Sequence, residues 1–256
     1  MIQIAVVGCT GKLGRDITKT ILSRRDVRLK YAIARKGNPF VGHRVSEMIG
    51  GNEEIEIIDD IELAGDCDVF VDCTNAGTFI QNSLAKYKKM KKSVVIATTG
   101  FEEEAVEKIR SMAKELPVFM SGNFSAALYH FLETLKFAVK RIADDTEIQI
   151  IEYHHNQKMD APSGTALMIR DALAEANERL TPEKISIHSV RGGTIPGKHE
   201  VIFGSGRDEV VTFSHQVLSR GTFAQGAVDI AVWITKRVNG LYDMRDFCGN
   251  NPNQIP

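Results

Sequence analysis

Cysteine is scarce in this 256-residue chain, and its placement says as much as its number. Cys9, Cys67, Cys73 and Cys248 form no C-x-x-C pair and no zinc spacing, which argues against a cysteine-built metal site or a disulfide framework. Inert thiols in a reducing, cytoplasmic setting are expected. Charge of one sign is also lacking. Lys and Arg total 32 against 33 for Asp and Glu, a formal net charge of −1. A general nucleic-acid binder or a membrane-surface binder is therefore not expected. No apolar run reaches transmembrane length. The opening "MIQIAVVGCTGK" has no basic region followed by an apolar core and cleavage site, so no secretory leader is expected. There is no internal repeat, low-complexity tract or long linker.

What remains is the composition of a soluble globular protein, with 43% hydrophobic and 25% charged residues. The length suits one large domain or two modest ones. Strand and helix patterns alternate through the first half. "IQIAVV" is a nearly continuous apolar run suited to a buried parallel strand, and a helix follows to about Arg25. "VRLKYAI" carries Val27, Leu29, Tyr31 and Ile33 at period two. Further strands are expected at "EIEII", 67–74, 93–100 and 117–125, with helices near 77–90 and over "EEEAVEKIRSMAKE". This alternation predicts a parallel sheet with helices on both faces. The pattern changes after about Ala126. A helix over 126–142, a strand over "EIQIIEYHH", a helix from Gly164 to about Ala176 and β-prone runs at 184–190, 199–204 and 209–217 predict a mixed α+β second domain. The apolar helix "AVDIAVWITKRV" is expected to return to the first domain, and the glycine-dense "RGGTIPGKHEVIFGSG" is the expected mobile loop. The fold class is thus α/β. Residues 1–125 plus about 220–256 form a Rossmann-like dinucleotide-binding domain, and 126–219 form the second.

"VVGCTGKLGRDI" sets Gly8, Gly11 and Gly14 between a buried strand and a helix, as G-x-x-G-x-x-G. Gly8 permits a tight turn, Gly11 a close approach of a pyrophosphate, and Gly14 close helix–strand packing. The free amides at the helix start favour an anion. Cys9 reads as a small filler. The second strand ends in Ala34, Arg35 and Lys36, where a dinucleotide site often has a carboxylate for the ribose. Two cations and no acid there predict a preference for NADPH, with NADH possible. Three strand ends, "DCTNAG", "ATTG" and "SGNFS", finish in small polar residues at the sheet edge where such folds bind ligands. Together they suit a nicotinamide pocket.

The densest cluster of chemistry is "EYHHNQKMDAPSGTA", residues 152–166. His154 and His155 are adjacent on a strand end, so their side chains point to opposite faces and do not suit one metal ion; no metal is expected. Lys158 follows in a loop. Ser163 is a natural N-cap, and the amides of Gly164 and Thr165 form a cradle for a carboxylate. Asp160 is placed to orient Lys158 or Ser163. An anion cradle, a cation and imidazoles within a dozen residues make an active-site candidate.

This stretch resembles the signature of the 4-hydroxy-tetrahydrodipicolinate (dihydrodipicolinate) reductase family, E-x-H-H-x-x-K-x-D-A-P-S-G-T-A, at every fixed position. "VGCTGKLGR", "ATTGF", "SGNFS" and "GLYDMRDF" resemble further family segments, so the likeness spans the chain. The resemblance implies a two-domain NAD(P)H-dependent reductase of lysine and diaminopimelate biosynthesis, usually a homotetramer. It implies a cyclic dicarboxylated imine as substrate, and a second domain for substrate binding and oligomerisation. By that likeness His154 is a proton donor/acceptor and Lys158 a proton donor, while His155, Gly164 and Thr165 bind substrate. Gly8, Cys9, Thr10, Gly11, Lys12 and Leu13 contact the cofactor, as do Ala97, Thr98, Thr99, Ser121, Gly122, Asn123 and Phe124. The chain departs from the family pattern at Ala34, Ala97 and "TNAG", so Asn75 receives no role; His199 and His215 are left unassigned. Two other readings stay open: a different two-domain Rossmann dehydrogenase, and a non-enzymatic NADP-binding regulator.

Overall fold

The computed structural model describes residues 1–142 and 145–249. The chain divides into two compact units, Met1–Ser125 with the segment from Gly221 onward, and Ala126–Arg220.

The first unit is built on a seven-stranded sheet. Its strands are β1 (Ile2–Val7), β2 (Val27–Ile33), β3 (Ile57–Ile58), β4 (Val69–Asp72), β5 (Ser93–Ile96) and β6 (Pro117–Met120), with a late strand, Gly240–Tyr242. The order is the late strand, then β6-β5-β4-β1-β2-β3, with every pairing parallel. Its helices are α1 (Lys12–Ser23), α2 (Val45–Ile49), α3 (Ala76–Thr78), α4 (Leu84–Met90) and α5 (Glu103–Ala113), joined after the second unit by Gly221–Ile234 and Met244–Gly249. Period two explains the central strand. Ile4 and Val6 join one hydrophobic cluster with Ile17 and Ile21 of α1, and Ala5 and Val7 join another with Phe70, Phe79 and Tyr87. A strand apolar on both faces fits only between two helical layers.

The strand expected over "EIEII" shrinks to two residues. The helix expected near 77–90 is α3, a π-helical turn at Phe79–Ser83, and α4. The late helix begins at Gly221, earlier than its apolar run suggested, because Ala224 and Ala227 also bury. A Cβ on Gly226 in that helix would lie 1.9 Å from the Phe124 carbonyl oxygen, so glycine permits the contact.

The second unit comprises α6 (Ala126–Val139), β7 (Glu147–His154), α7 (Gly164–Ala176), β8 (Ile185–Arg191), β9 (Lys198–Gly204) and β10 (Val210–Gln216). The Gly221–Ile234 helix is then α8, the late strand β11 and Met244–Gly249 α9. The second sheet runs β10-β9-β7-β8, parallel between β7 and β8 and antiparallel elsewhere. Ile148, Ile150, Val201 and Phe203 face a core shared with Leu135, Val139, Ile169 and Leu173 of α6 and α7. Of the two overlapping expectations for 191–206, the β-prone run at 199–204 holds as β9, inside the sheet, and the mobile loop does not. His199, Val201 and Phe203 bury at period two, and that pattern outweighs the glycines, which fall before the strand and at its end. Among the described residues no helix is long and apolar enough to cross a membrane.

Candidate active site

The glycine loop between β1 and α1 sits where the strand order reverses, the crevice that open α/β sheets use for ligands. Gly8 has φ +82°, and a Cβ there would come within 2.9 Å of the Cys73 carbonyl oxygen at the end of β4. A Cβ on Gly14 would lie 2.3 Å from the Gly8 carbonyl oxygen, so α1 can start this close to β1 only with glycine there. Gly11 is the exposed N-cap, has an ordinary φ of −71° and receives no side-chain cap. The first intrahelical bond is Arg15 N–H to the Gly11 carbonyl at 2.9 Å, which leaves earlier amides for an incoming anion. Thr10 and Leu13 are half-buried and Lys12 is exposed. Cys9 is buried, and its thiol is pushed up to about 12 by burial. It is filler rather than nucleophile. These features fit a dinucleotide pyrophosphate.

One buried carboxylate organises two of the three strand ends. Asp72, at the end of β4, accepts from the Thr74 amide (3.0 Å), the Thr74 hydroxyl (2.6 Å), the Tyr87 hydroxyl (2.7 Å) and the Thr98 hydroxyl (3.4 Å). Its backbone oxygen accepts from the Ala97 amide at 2.8 Å. Burial raises the Asp72 carboxyl above its ordinary value against these bonds. Thr98 is thereby buried, while Ala97 is half-buried and Thr99 exposed. The third end closes on itself. Ser121 Oγ donates to the Asn123 carbonyl at 2.6 Å, and the Ser125 amide donates to Asn123 Oδ1 at 2.9 Å. Gly122 is exposed and Phe124 buried. Asn75, which received no role from the sequence, caps α3 through the Thr78 amide. Arg35 and Lys36 are exposed beyond the buried Ala34, and the chain directly after β2 carries no acid.

In the second unit the polar residues gather at one end of the sheet. β7 puts Glu152 and His154 on the covered face, and the half-buried His155 follows directly after the strand. β9 enters from that same end with His199, which pairs opposite Glu152. β8 brings Arg191 opposite His154. His154 Nδ1 contacts Glu152 Oε2, and Arg191 Nη2 donates to Glu152 Oε1 at 2.7 Å. Burial raises the Glu152 carboxyl, but its bonds to Arg191, Ser189 and His154 prevail and hold it at about 2. Burial lowers His154 below its ordinary value, helped by the charges of Lys158 and Arg191 and opposed by Glu152. The half-buried Lys158 is held by both oxygens of Asp160 at 2.8 Å.

Ser163 caps α7 by accepting from the Ala166 amide at 3.2 Å, and its hydroxyl meets His199 Nε2 at 3.2 Å. The amides of Gly164 and Thr165 precede the first intrahelical bond, Leu167 N–H to the Ser163 carbonyl. Gly164 is exposed and Thr165 half-buried, so the free amides of this helix mouth are open to an anion. Burial drops His199 to about 4.

Within this unit the structure gathers His154, Lys158, Ser163, Gly164 and Thr165 around one sheet end. The sequence left His199 unassigned and gave Glu152 and Arg191 no role. Glu152 and His154 stand two apart on one strand, which was the available signal; His199 and Arg191 arrive only through strand pairing. Ligand atoms of Glu152, His154 and His199 lie within 4.8 Å of one another, a geometry able to hold a cation. The guanidinium on the second Glu152 oxygen opposes one.

Two family models cover the chain. "Dihydrodipicolinate reductase, N-terminus" matches residues 2–124 and "Dihydrodipicolinate reductase, C-terminus" matches 127–248. The 4-hydroxy-tetrahydrodipicolinate reductase of Geotalea daltonii is 35% identical over 267 aligned positions, covering 97% of this chain and 99% of the relative. The enzyme of the same name from Psychrobacter arcticus is also 35% identical, covering 98% and 96%. Among solved structures, the dipicolinate-bound dihydrodipicolinate reductase from Paenisporosarcina sp. TG-14 superposes with TM-score 0.76 at 24% identity, covering 96% of this chain and 99% of that one. An amine dehydrogenase from Mycobacterium smegmatis shares the fold at TM-score 0.61 and 14% identity.

Proposed function

The chain belongs to the dihydrodipicolinate reductase family, and from that premise we propose the part each residue plays. The protein is an oxidoreductase that uses a nicotinamide cofactor to reduce the dehydrated form of 4-hydroxy-tetrahydrodipicolinate to tetrahydrodipicolinate, in lysine and diaminopimelate biosynthesis. The observation that carries the assignment is the single sheet end in the second unit that joins a proton-transfer pair, His154 and Lys158, to a capped helix mouth suited to carboxylates.

Gly8 to Leu13 hold the pyrophosphate on the α1 amides, and the segments 97–99 and 121–124 bind the carboxamide end. When bound, the reduced nicotinamide supplies a hydride. Arg35 and Lys36, with no acid at the β2 end to repel a 2′-phosphate, make NADPH the preferred form and NADH the poorer one.

The substrate is a doubly anionic ring. His155 and the amides of Gly164 and Thr165 take its carboxylates, and Ser163 serves substrate binding by capping the helix that presents those amides. Hydride addition builds negative charge on the ring, and a proton must meet it. His154 lies below its ordinary value and is neutral near pH 7. The Lys158 ammonium is therefore the resting proton source, and His154 accepts and passes on a proton. Asp160 orients Lys158. The four thiols are free, and burial pushes Cys9 and Cys67 to about 12 and Cys248 to about 11, with Cys73 also raised. That disfavours semialdehyde dehydrogenase chemistry, which needs a thiolate. A cytoplasmic homotetramer completes the proposal. The second sheet has α6 and α7 on one face, and half-buried Ile151, Tyr153 and Ile202 on the other offer a surface to further subunits.

The test is loss of NADPH absorbance on adding enzymatically generated 4-hydroxy-tetrahydrodipicolinate. Turnover supports the assignment. Tight NADPH binding without turnover would favour a regulator, and turnover of an amino acid or semialdehyde instead would favour another dehydrogenase.

A further inference from the structure

Glu152 is fully buried, yet it stands in a strand register where Ile148 and Ile150 bury apolar side chains. Placing a carboxylate there is unfavourable unless partners offset the lost hydration. Its partners account for both oxygens. Oε2 meets His154 Nδ1, and Oε1 accepts from Arg191 Nη2 at 2.7 Å. The same Nη2 donates to the Asp160 carbonyl at 2.6 Å, tying the Lys158 loop to the ion pair.

We propose that Glu152 and Arg191 are positioning residues that keep the His154 proton on Nδ1, so that Nε2 is the nitrogen turned to the reacting ring. The proposal rests on the reading of His154 as a proton-transfer group. An ionised carboxylate can only accept, so the nitrogen against it must carry the hydrogen. The other nitrogen faces Gly197, where a Cβ would approach Nε2 to 3.2 Å. Glycine there leaves Nε2 uncrowded. Two-point anchoring of Glu152, by the neighbouring strand and by the imidazole, fixes the ring plane and prevents exchange of the two nitrogens.

The charged and titratable groups around the His154 ring come from every neighbouring element. Glu152 lies on its own strand, Arg191 on β8 and His199 on β9, whose ring centroid is 5.4 Å away. Lys158 acts from the loop, and His215 on β10 sits opposite His199. Glu152 stays ionised across the working range because it is held at about 2. Glu152→Gln removes the attraction that supports a charged imidazole. It also supplies an amide that can donate to Nδ1 and so place the proton on Nε2.

The experiment uses ligand-free, full-length protein labelled with 15N-histidine, with long-range proton–nitrogen correlation spectra assigned through His154→Gln. Wild type is expected to show the proton on His154 Nδ1. Glu152→Gln is expected to populate the Nε2–H form, lower the pH at which the ring titrates, and reduce kcat roughly 10- to 100-fold with a smaller change in KM. Glu152→Asp, which keeps the charge, should recover part of kcat. Arg191→Leu should lose kcat in the same direction as Glu152→Gln. A wild-type ring protonated on Nε2 would overturn the proposal, and that result needs no variant to fold. So would a folded Glu152→Gln protein with unchanged tautomer, kcat and pH profile. Failure of wild type to turn over would strike the functional reading instead, leaving the tautomer result intact.

Discussion

Alanine at Gly14 and alanine at Gly11 should fail in different ways, and the contrast separates packing from ligand contact in one loop. At Gly14 the new Cβ would sit 2.3 Å from the Gly8 carbonyl oxygen and 2.9 Å from Cys9 Cα. A relaxed carbon–oxygen approach is about 3.3 Å, so α1 must retreat by about 1 Å. Ile17, Thr18 and Ile21 are buried on that helix, so the retreat loosens their packing as well. Overpacking of this kind costs about 1–3 kcal/mol. For a unit of roughly 160 residues that is a fall in Tm of about 2–12 °C. At Gly11 the nearest atom to a new Cβ is 3.4 Å away and φ is −71°, so the fold should accept alanine with a Tm shift of about 2 °C or less. The Gly11 methyl would instead stand where the pyrophosphate approaches, and NADPH binding should weaken roughly tenfold or more. Thermal unfolding without ligand and fluorescence titration with NADPH read the two effects separately. A Gly14→Ala protein melting with wild type would refute the packing argument. A Gly11→Ala protein with unchanged NADPH affinity would refute the placement of the phosphate.

Arg35→Ala combined with Lys36→Ala should raise the KM for NADPH roughly tenfold or more while leaving that for NADH nearly unchanged; equal effects on both cofactors would remove the 2′-phosphate assignment. Acid should destabilise the second unit in two stages. His199 lies at about 4 in the fold against 6.5 in the unfolded chain, so its contribution is whole above pH 6.5 and fades as pH falls toward 4. Linkage puts that loss on the order of 3 kcal/mol. Glu152, held at about 2 against 4.5, adds its own loss between those values. Urea unfolding from pH 7.5 to 4.5 should show the first stage in wild type and a flatter profile in His199→Gln; parallel profiles would contradict it.

Much of the first unit was legible because its signals are local. The apolar runs of β1, β2 and β4 to β6 and the spaced glycines each fall within a dozen residues, whereas the sheet order that sets β4 beside β1 comes from pairing. β11 was not legible, since Gly240–Tyr242 owes its strand state to pairing with β6. β9 was legible as a β-prone run at 199–204, but the glycines around it also suggested a mobile loop, and its two partner strands, which decide between the readings, are not visible in the sequence. The π-helical turn at Phe79–Ser83 left no periodic trace either. In the second unit, the residues within 152–166 announced themselves by spacing. Arg191 and His199, 37 and 45 positions beyond His154, reach it only through strand register. Sequence order hides such neighbours, and charge or hydropathy gives no sign of them.

If the end of β7 and the mouth of α7 carry proton transfer on a dicarboxylate ring, steady-state kinetics of His154→Ala and Lys158→Ala under saturating NADPH should show kcat falling by about 100-fold or more in each, with both proteins folded and still binding NADPH. Near-native turnover in both would contradict it.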